Sequence, residues 1–230
     1  MTGDQVKTMH DEALNQFLQT KTVVHIFGAG LRSDRPAHTA VKELCDRGWA
    51  VSPVHPRDAG GTIEGFPIRP HLDDGVVPEI VVLFLAPERA RAVVRNLIVR
   101  IHRDDFPLVW FQNGAEDQHA IEALTEMGAD FVVDDCIVRY SERHNLICSH
   151  PVLPQTWCLQ TSSIDGDGCS VWTVHSSESA SIEAAGERLE WVGSISDLAT
   201  SNHTIPRYIR SLQTEQESLV SLATRLTKQT

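Results

Sequence analysis

Short apolar runs alternate with amphipathic stretches through the first two thirds of the chain. Val23–Phe27 reads as a strand, and Pro36–Arg47 as a helix with Ala40, Val41, Leu44 and Cys45 on its apolar face. Gly48 stops that helix, and Trp49–Pro53 reads as a second strand. Ile80–Leu85 is a continuous apolar run, as expected of a parallel strand covered on both faces. Pro87–Ile101 predicts a helix, Leu108–Phe111 a strand, Glu116–Met127 a helix closed by Gly128, and Phe131–Val133 a strand. A short helix over 11–19, with Leu14, Phe17 and Leu18 on one face, precedes the series. Val54–Pro70, rich in Pro and Gly, reads as loop with one extended piece at Phe66–Ile68. Strand and helix in alternation predict an α/β fold: a Rossmann-like parallel sheet of about five strands with flanking helices and right-handed crossovers.

From about His150 the alternation stops. Trp157–Gln160 and Cys169–His175 read as strands separated by the turn Asp165-Gly166-Asp167-Gly168, and Ser179–Trp191 fits helix or strand equally. Ile205–Thr227 reads as one helix, with Pro206 at its start and Ile205, Tyr208, Ile209, Leu212, Leu219, Leu222 and Leu226 at helical spacing. The expected organisation is therefore a domain over 1–149 and a C-terminal α+β extension over 150–230. An apolar stripe must be buried, and crossover helices already cover both faces of a parallel sheet. The stripe can pack on its own domain or against a second copy. A homodimer through this segment is the expectation, because two-fold dimers are the commonest soluble assembly.

The first strand runs into Gly28-Ala29-Gly30 and then a helix beginning at Pro36. A helix N-terminus reached through a glycine turn favours an anion, usually a phosphate, through its free N–H groups and its dipole. Arg32 and Arg35 add positive charge beside it, and Pro36 suits the first helical position. A small-molecule ligand carrying phosphate groups is expected. Gly28-x-Gly30 begins the dinucleotide fingerprint, but Ser33 stands where the third glycine belongs. The second strand ends in Pro53-Val54-His55-Pro56-Arg57, with no acid to hold a ribose before Asp58. Both departures count against ordinary NAD binding. A tight packing turn without a ligand is the plain alternative.

These residues carry a resemblance. Phe27-Gly28-Ala29-Gly30, Arg35-Pro36 and Gly48-Trp49-Ala50-Val51-Ser52-Pro53-Val54-His55-Pro56 are similar in order and spacing to the small CoA-binding domain proteins, relatives of the CoA-binding N-terminal domain of the succinyl-CoA ligase alpha subunit. Trp110-Phe111-Gln112-Asn113-Gly114 resembles that family's Trp-Met-Gln-x-Gly, and Val132-Val133-Asp134-Asp135-Cys136 its closing Val-Val-Met-Asp-Arg-Cys. The likeness runs from about residue 11 to 145 and leaves out the C-terminal segment. It implies CoA as the ligand, with Gly28, Ala29 and Gly30 admitting the pyrophosphate and Arg32, Ser33 and Arg35 bonding phosphate oxygens. It further implies that Pro53, Val54, His55 and Pro56 flank the adenosine end, while Gln112, Asn113 and Gly114 lie at the same carboxyl edge. Two family arginines are missing: the chain reads Phe84-Leu85-Ala86-Pro87 and Asp134-Asp135-Cys136 where the family carries positive charge.

A formal net charge of -11 excludes broad nucleic-acid binding. No apolar run reaches the ~18 residues of a membrane span, and the polar start Met1-Thr2-Gly3-Asp4-Gln5 has no signal-like apolar region. The odd set Cys45, Cys136, Cys148, Cys158 and Cys169, without CxxC spacing, suits reduced thiols in the cytoplasm. Cys136 reads as structural, since Asp134 and Asp135 disfavour its thiolate. His144, Cys148 and His150 match no established zinc spacing, and no metal is expected. His25 reads as a core histidine and His55 as the functional one, while Asp73-Asp74 and Asp104-Asp105 read as solvated loops or caps. No nucleophile–base–acid set is found. Ligase chemistry in the resembling family needs a phosphorylated histidine from a further domain, which this chain is too short to hold. The reading is a CoA-binding, or related adenine-nucleotide-binding, protein without catalysis of its own, which senses the ligand or presents it. Its rivals are an NAD(P)-linked oxidoreductase with the C-terminal segment as lid, and an assembly protein that has lost the ligand.

Overall fold

Val24, Ile26, Ile80–Leu83 and Leu108–Phe111 are all withdrawn from water, because they form the central strands of a sheet covered on both faces. In the computed structural model, which describes residues 9–162, 170–178, 183–185 and 188–227, the strands are β1 (Val23–Phe27), β2 (Ala50–Val54), β5 (Ile80–Leu83), β6 (Leu108–Phe111) and β7 (Phe131–Val132). They form one five-stranded parallel sheet in the order β2-β1-β5-β6-β7. The register aligns Phe27 with Leu83 and Leu83 with Phe111, so these three strands end level at one carboxyl edge. The connecting helices are α2 (Pro36–Cys45), α3 (Pro87–Arg100) and α4 (Gln118–Met127), preceded by α1 (Asp11–Thr20). Proline at the first turn of α2 and α3 starts each helix without a lost hydrogen bond. Asp117 caps α4 by accepting from Ala120 N at 3.0 Å, and Gly128 (φ 67°) closes it in the left-handed region.

α5 (Ile137–Arg143), which the sequence pattern does not announce, buries Ile137 and Tyr140. Tyr140 meets the edge of Trp110 at 5.3 Å, and Trp110 Nε1 donates to Asp135 O at 2.9 Å. Residues 9–29, 34–51 and 77–153 make up the first of two compact units.

The second unit consists of 30–33, 52–76 and the described residues from 154 onward. Its first part holds the hairpin β3 (Thr62–Ile63) and β4 (Phe66–Pro67), joined through Glu64 (φ 51°) and Gly65 (φ 79°), the positive dihedrals of a tight hairpin turn. Its second part is an antiparallel sheet, order β10-β8-β9, of β8 (Trp157–Ser162), β9 (Ser170–His175) and β10 (Leu189–Ser194). The helices α6 (Ile195–Thr200), α7 (Thr204–Ser211) and α8 (Leu219–Thr227) follow. Ser194 and Asp197 start α6 with a reciprocal capping box. The segment Ser179–Trp191 resolves at its described end as strand, while the turn Asp165–Gly168 and Cys169 lie outside the described residues.

The single helix expected over Ile205–Thr227 is instead two. No apolar residue occurs between Leu212 and Leu219, so nothing holds those turns to a core. The chain turns there with Gln216 at φ 64°, and Ser218 Oγ caps α8 by accepting from Ser221 N at 3.1 Å. Glu217 fixes the turn. It accepts from Arg225 Nε (2.8 Å) and Nη2 (2.9 Å) and from Thr214 N (3.1 Å), and these bonds pull its carboxyl down to about 2. The break lets both halves of the stripe reach one core. Ile209, Leu222 and Ala223 are buried with Cys158, Trp172, Trp191 and Leu198, and Ile205, Leu212, Leu219 and Leu226 pack against them. Apart from the exposed Tyr208, the stripe expected at a dimer interface packs within its own unit.

Asp73 also departs from expectation: it is buried rather than solvated, and its Oδ2 accepts from Trp191 Nε1 at 2.8 Å and from Ser201 Oγ. An indole and a hydroxyl replace the water it gave up. Asp104 and Asp105 lie exposed in a short 3-10 turn, as expected. Among the described residues no helix is long and apolar enough to cross a membrane.

Candidate functional site

The carboxyl edge of the first unit's sheet carries part of the expected ligand residues. β1 passes directly into Gly28, whose φ of 98° lies where only glycine is comfortable, and a Cβ there would overlap Phe84 O. Phe84 N donates to Phe27 O at 3.0 Å, which extends the β1–β5 pairing up to the turn. Ala29 is fully buried. Arg35 is the N-cap of α2 but makes no side-chain cap bond; its side chain is 60% exposed, with Nε 4.0 Å from Asp34 Oδ2. At the end of β6, Gln112 N donates to Leu83 O at 3.2 Å. The Gln112 carboxamide is buried, yet its Nε2 has no hydrogen-bond partner among the described residues. A buried donor in that state costs free energy unless something outside the fold accepts from it. Asn113 and Gly114 are exposed, and Gly114 N donates to Glu116 Oε2 at 2.6 Å.

The second unit holds the other part. Gly30 and Leu31 face Asp58: a Cβ on Gly30 would overlap Asp58 Oδ2, and Leu31 N donates to that oxygen at 2.7 Å. His55 Nδ1 lies 3.3 Å from the same oxygen. Arg32 and Ser33 are exposed. Pro53 and Val54 are buried, His55 is half-buried and Pro56 exposed. Arg69 holds this stretch extended, its N donating to Pro53 O at 2.9 Å and its O accepting from His55 N at 2.8 Å.

The Arg69 side chain, equally buried, donates to Asp197 through Nε at 3.0 Å and through Nη2, and to Pro67 O through Nη1 at 3.0 Å. Burial raises the Asp197 carboxyl, but the Arg69 charge and the bonds from Arg69 and Ser194 outweigh it and hold the group below its ordinary range.

Of the residues singled out on sequence alone, Gly28, Ala29, Arg35 and Gln112–Gly114 fall in the first unit, and Gly30, Arg32, Ser33 and Pro53–Pro56 in the second. Sequence reasoning missed Asp58, Arg69 and Asp197. Asp58 had a signal, as the first acid after the second strand. Arg69 and Asp197 had none, since each is an isolated charge whose partner is far away in the chain.

No group of metal-ligating side chains occurs among the described residues. The His144 ring lies tilted against Tyr140 at 4.3 Å, Cys148 Sγ donates to Lys21 O at 3.4 Å, and His150 is exposed. His25 is buried in β1 as a core residue. Cys136 stands at the N-cap position of α5 without a side-chain cap bond, and burial pushes the Cys158 thiol up to about 12, which disfavours its thiolate.

An open parallel sheet with a glycine turn leading from β1 into a helix defines a Rossmann-like α/β protein, whose ligands bind at the carboxyl edge of the strands. More narrowly, residues 22–141 match the family described as a CoA binding domain, and the chain belongs to that family. A curated relative, the uncharacterized protein YneT of Bacillus subtilis (strain 168), is 26% identical over 125 residues, covering 54% of this chain and 88% of its own. Among solved structures, Prb (PH1109 protein redesigned for binding) is similar at 27% identity and a TM-score of 0.51, covering 60% of this chain and 94% of its own. A protein from Thermus thermophilus, cell-free ID.343, is similar at 27% identity and a TM-score of 0.51, covering 59% of this chain and 98% of its own.

Proposed function

We propose that the chain binds CoA, or a related adenine nucleotide, through the loop after β1 and carries out no reaction on it, serving as a sensor or presenter of the ligand. The observation that carries this reading is the family match over residues 22–141, which spans the turn from β1 through Gly28, at φ 98°, into the N-terminus of α2. Membership of the CoA-binding domain family supports CoA over NAD. The unpartnered Gln112 Nε2 supports a ligand acceptor at the end of β6.

In this reading Gly28, Ala29 and Gly30 give backbone room, and Arg32, Ser33 and Arg35, all exposed, reach phosphate oxygens. Pro53, Val54, His55 and Pro56 flank the adenosine end, and Gln112, Asn113 and Gly114 complete the edge. The unoxidised thiols of Cys136, Cys148 and Cys158 support a reducing compartment such as the cytoplasm. Self-association is a separate proposal. With the stripe of α7 and α8 packed inward, Tyr208 and Val220 are the apolar side chains those helices leave exposed to a second copy.

Isothermal titration with CoA and with NAD tests the function. Saturable binding of CoA, tighter than that of NAD, is expected. Tighter binding of NAD removes the CoA reading, and binding of neither supports a protein that has lost its ligand.

A further inference from the structure

Asp58 holds the place at the glycine turn where an anion is expected. Successive backbone N–H groups in such a turn form a concavity that takes phosphate. Here the Leu31 N–H already donates to Asp58 Oδ2 at 2.7 Å, and that oxygen lies so close to Gly30 that a Cβ could not fit. His55 Nδ1 is 3.3 Å away. The side chain is 23% exposed, so its charge reaches solvent and any ligand entering the loop. All of these groups belong to one compact unit.

We propose that Asp58 is the specificity-determining residue of this loop: a resident carboxylate that competes with phosphate for the turn and biases the protein toward less anionic ligands. The proposal rests on the reading of the loop as a nucleotide site. A phosphate seated at the turn must displace Asp58 from Leu31 N or sit beside a like charge, and either route weakens binding.

The test is titration of CoA into the full chain and into Asp58→Asn, at low salt and at about 0.5 M salt. The amide oxygen of asparagine still accepts from Leu31 N, so the loop keeps its bond and loses only the charge. Asp58→Asn is expected to bind CoA about tenfold tighter at low salt. The gain is expected to shrink at high salt, where charges are screened. Should Asp58→Asn not fold, as judged by circular dichroism, Asp58→Ser carries the charge test, since it too removes the carboxylate. If CoA binds the unaltered chain and the variant binds it equally or more weakly, Asp58 is a structural brace of the loop and the proposal is overturned while the CoA reading stands. If neither protein binds CoA, ADP or NAD, the CoA reading fails and this proposal falls with it.

Discussion

Arg69 and Asp197 lie 128 positions apart in the chain and form a buried ion pair, Arg69 donating from both Nε and Nη2 to Asp197 Oδ2. The pair is structural in its own right. It also ties α6 to the strand of backbone that bonds Pro53 and His55, because the same Arg69 pairs with that strand through its main chain. The C-terminal segment therefore braces a stretch that the proposed function gives to the ligand.

Removing one partner strands the other charge away from water. Asp197→Ala is expected to cost roughly 3–5 kcal/mol of the second unit's stability. Replacing both residues with apolar ones of similar size is expected to restore much of that. Urea unfolding of the single and double variants measures it. A single-variant cost below about 1 kcal/mol would show that the pair is not buried in solution.

The same pair predicts an acid limb. The Asp197 carboxyl is lowered in the folded chain, against burial, by the Arg69 charge and the bonds from Arg69 and Ser194. The unfolded chain therefore binds the proton more tightly. The contribution is full above the ordinary carboxylate value of about 4 and is lost as pH falls through the lower folded value. Melting temperatures from about pH 7 down to about pH 2 are expected to fall at the acid end more steeply for the unaltered chain than for Asp197→Ala. Parallel acid limbs in the two proteins would contradict the assignment.

Arg35 is exposed and lies 4.0 Å from the Asp34 carboxylate. Arg35→Ala is expected to change stability by no more than about 0.5 kcal/mol. It is expected to weaken CoA at least about tenfold, since a charge-assisted bond to phosphate is worth roughly 1.5–3 kcal/mol. Titration and thermal melting on the same sample separate the two effects. Loss of folding with unchanged binding in the folded remainder would make Arg35 a structural residue.

Gly28 tests the turn. At φ 98° and against Phe84 O, an alanine side chain has neither a comfortable dihedral nor space. Gly28→Ala is expected to destabilise the first unit by more than about 1 kcal/mol, the scale of glycine-to-alanine penalties where φ is positive, and to abolish CoA binding. A variant that folds and binds normally would show that the turn is looser than its geometry.

Truncation before Ser201 removes α7 and α8, whose Ile209, Leu222 and Ala223 complete the core around Trp172 and Trp191. The expected result is loss of near-ultraviolet signal from those indoles and aggregation. A soluble, well-folded truncation product that has merely changed its oligomeric size would instead place the stripe at an interface between copies.

The alternation of apolar runs and amphipathic helices was enough to define the α/β sheet, because each parallel strand must be apolar on both faces and each crossover helix on one. Gly28 and Pro36 were legible for the same local reason: a backbone that must turn sharply into a helix admits few residue types. The family resemblance followed from those positions. The α7–α8 break was written in the polar stretch between Leu212 and Leu219, but helical spacing on either side concealed it. Only the tertiary structure decided where the charges went. Asp73, Arg69 and Asp197 look like ordinary surface charges in the chain. They are buried because Trp191 Nε1 and Ser201 Oγ in one case, and each other in the second, replace water. Asp58 stands beyond the loop in sequence and reaches back to Leu31 N only after folding. Local pattern records which face of an element is dry; it does not record which distant polar group will satisfy a buried one, because that pairing exists only once the elements have packed.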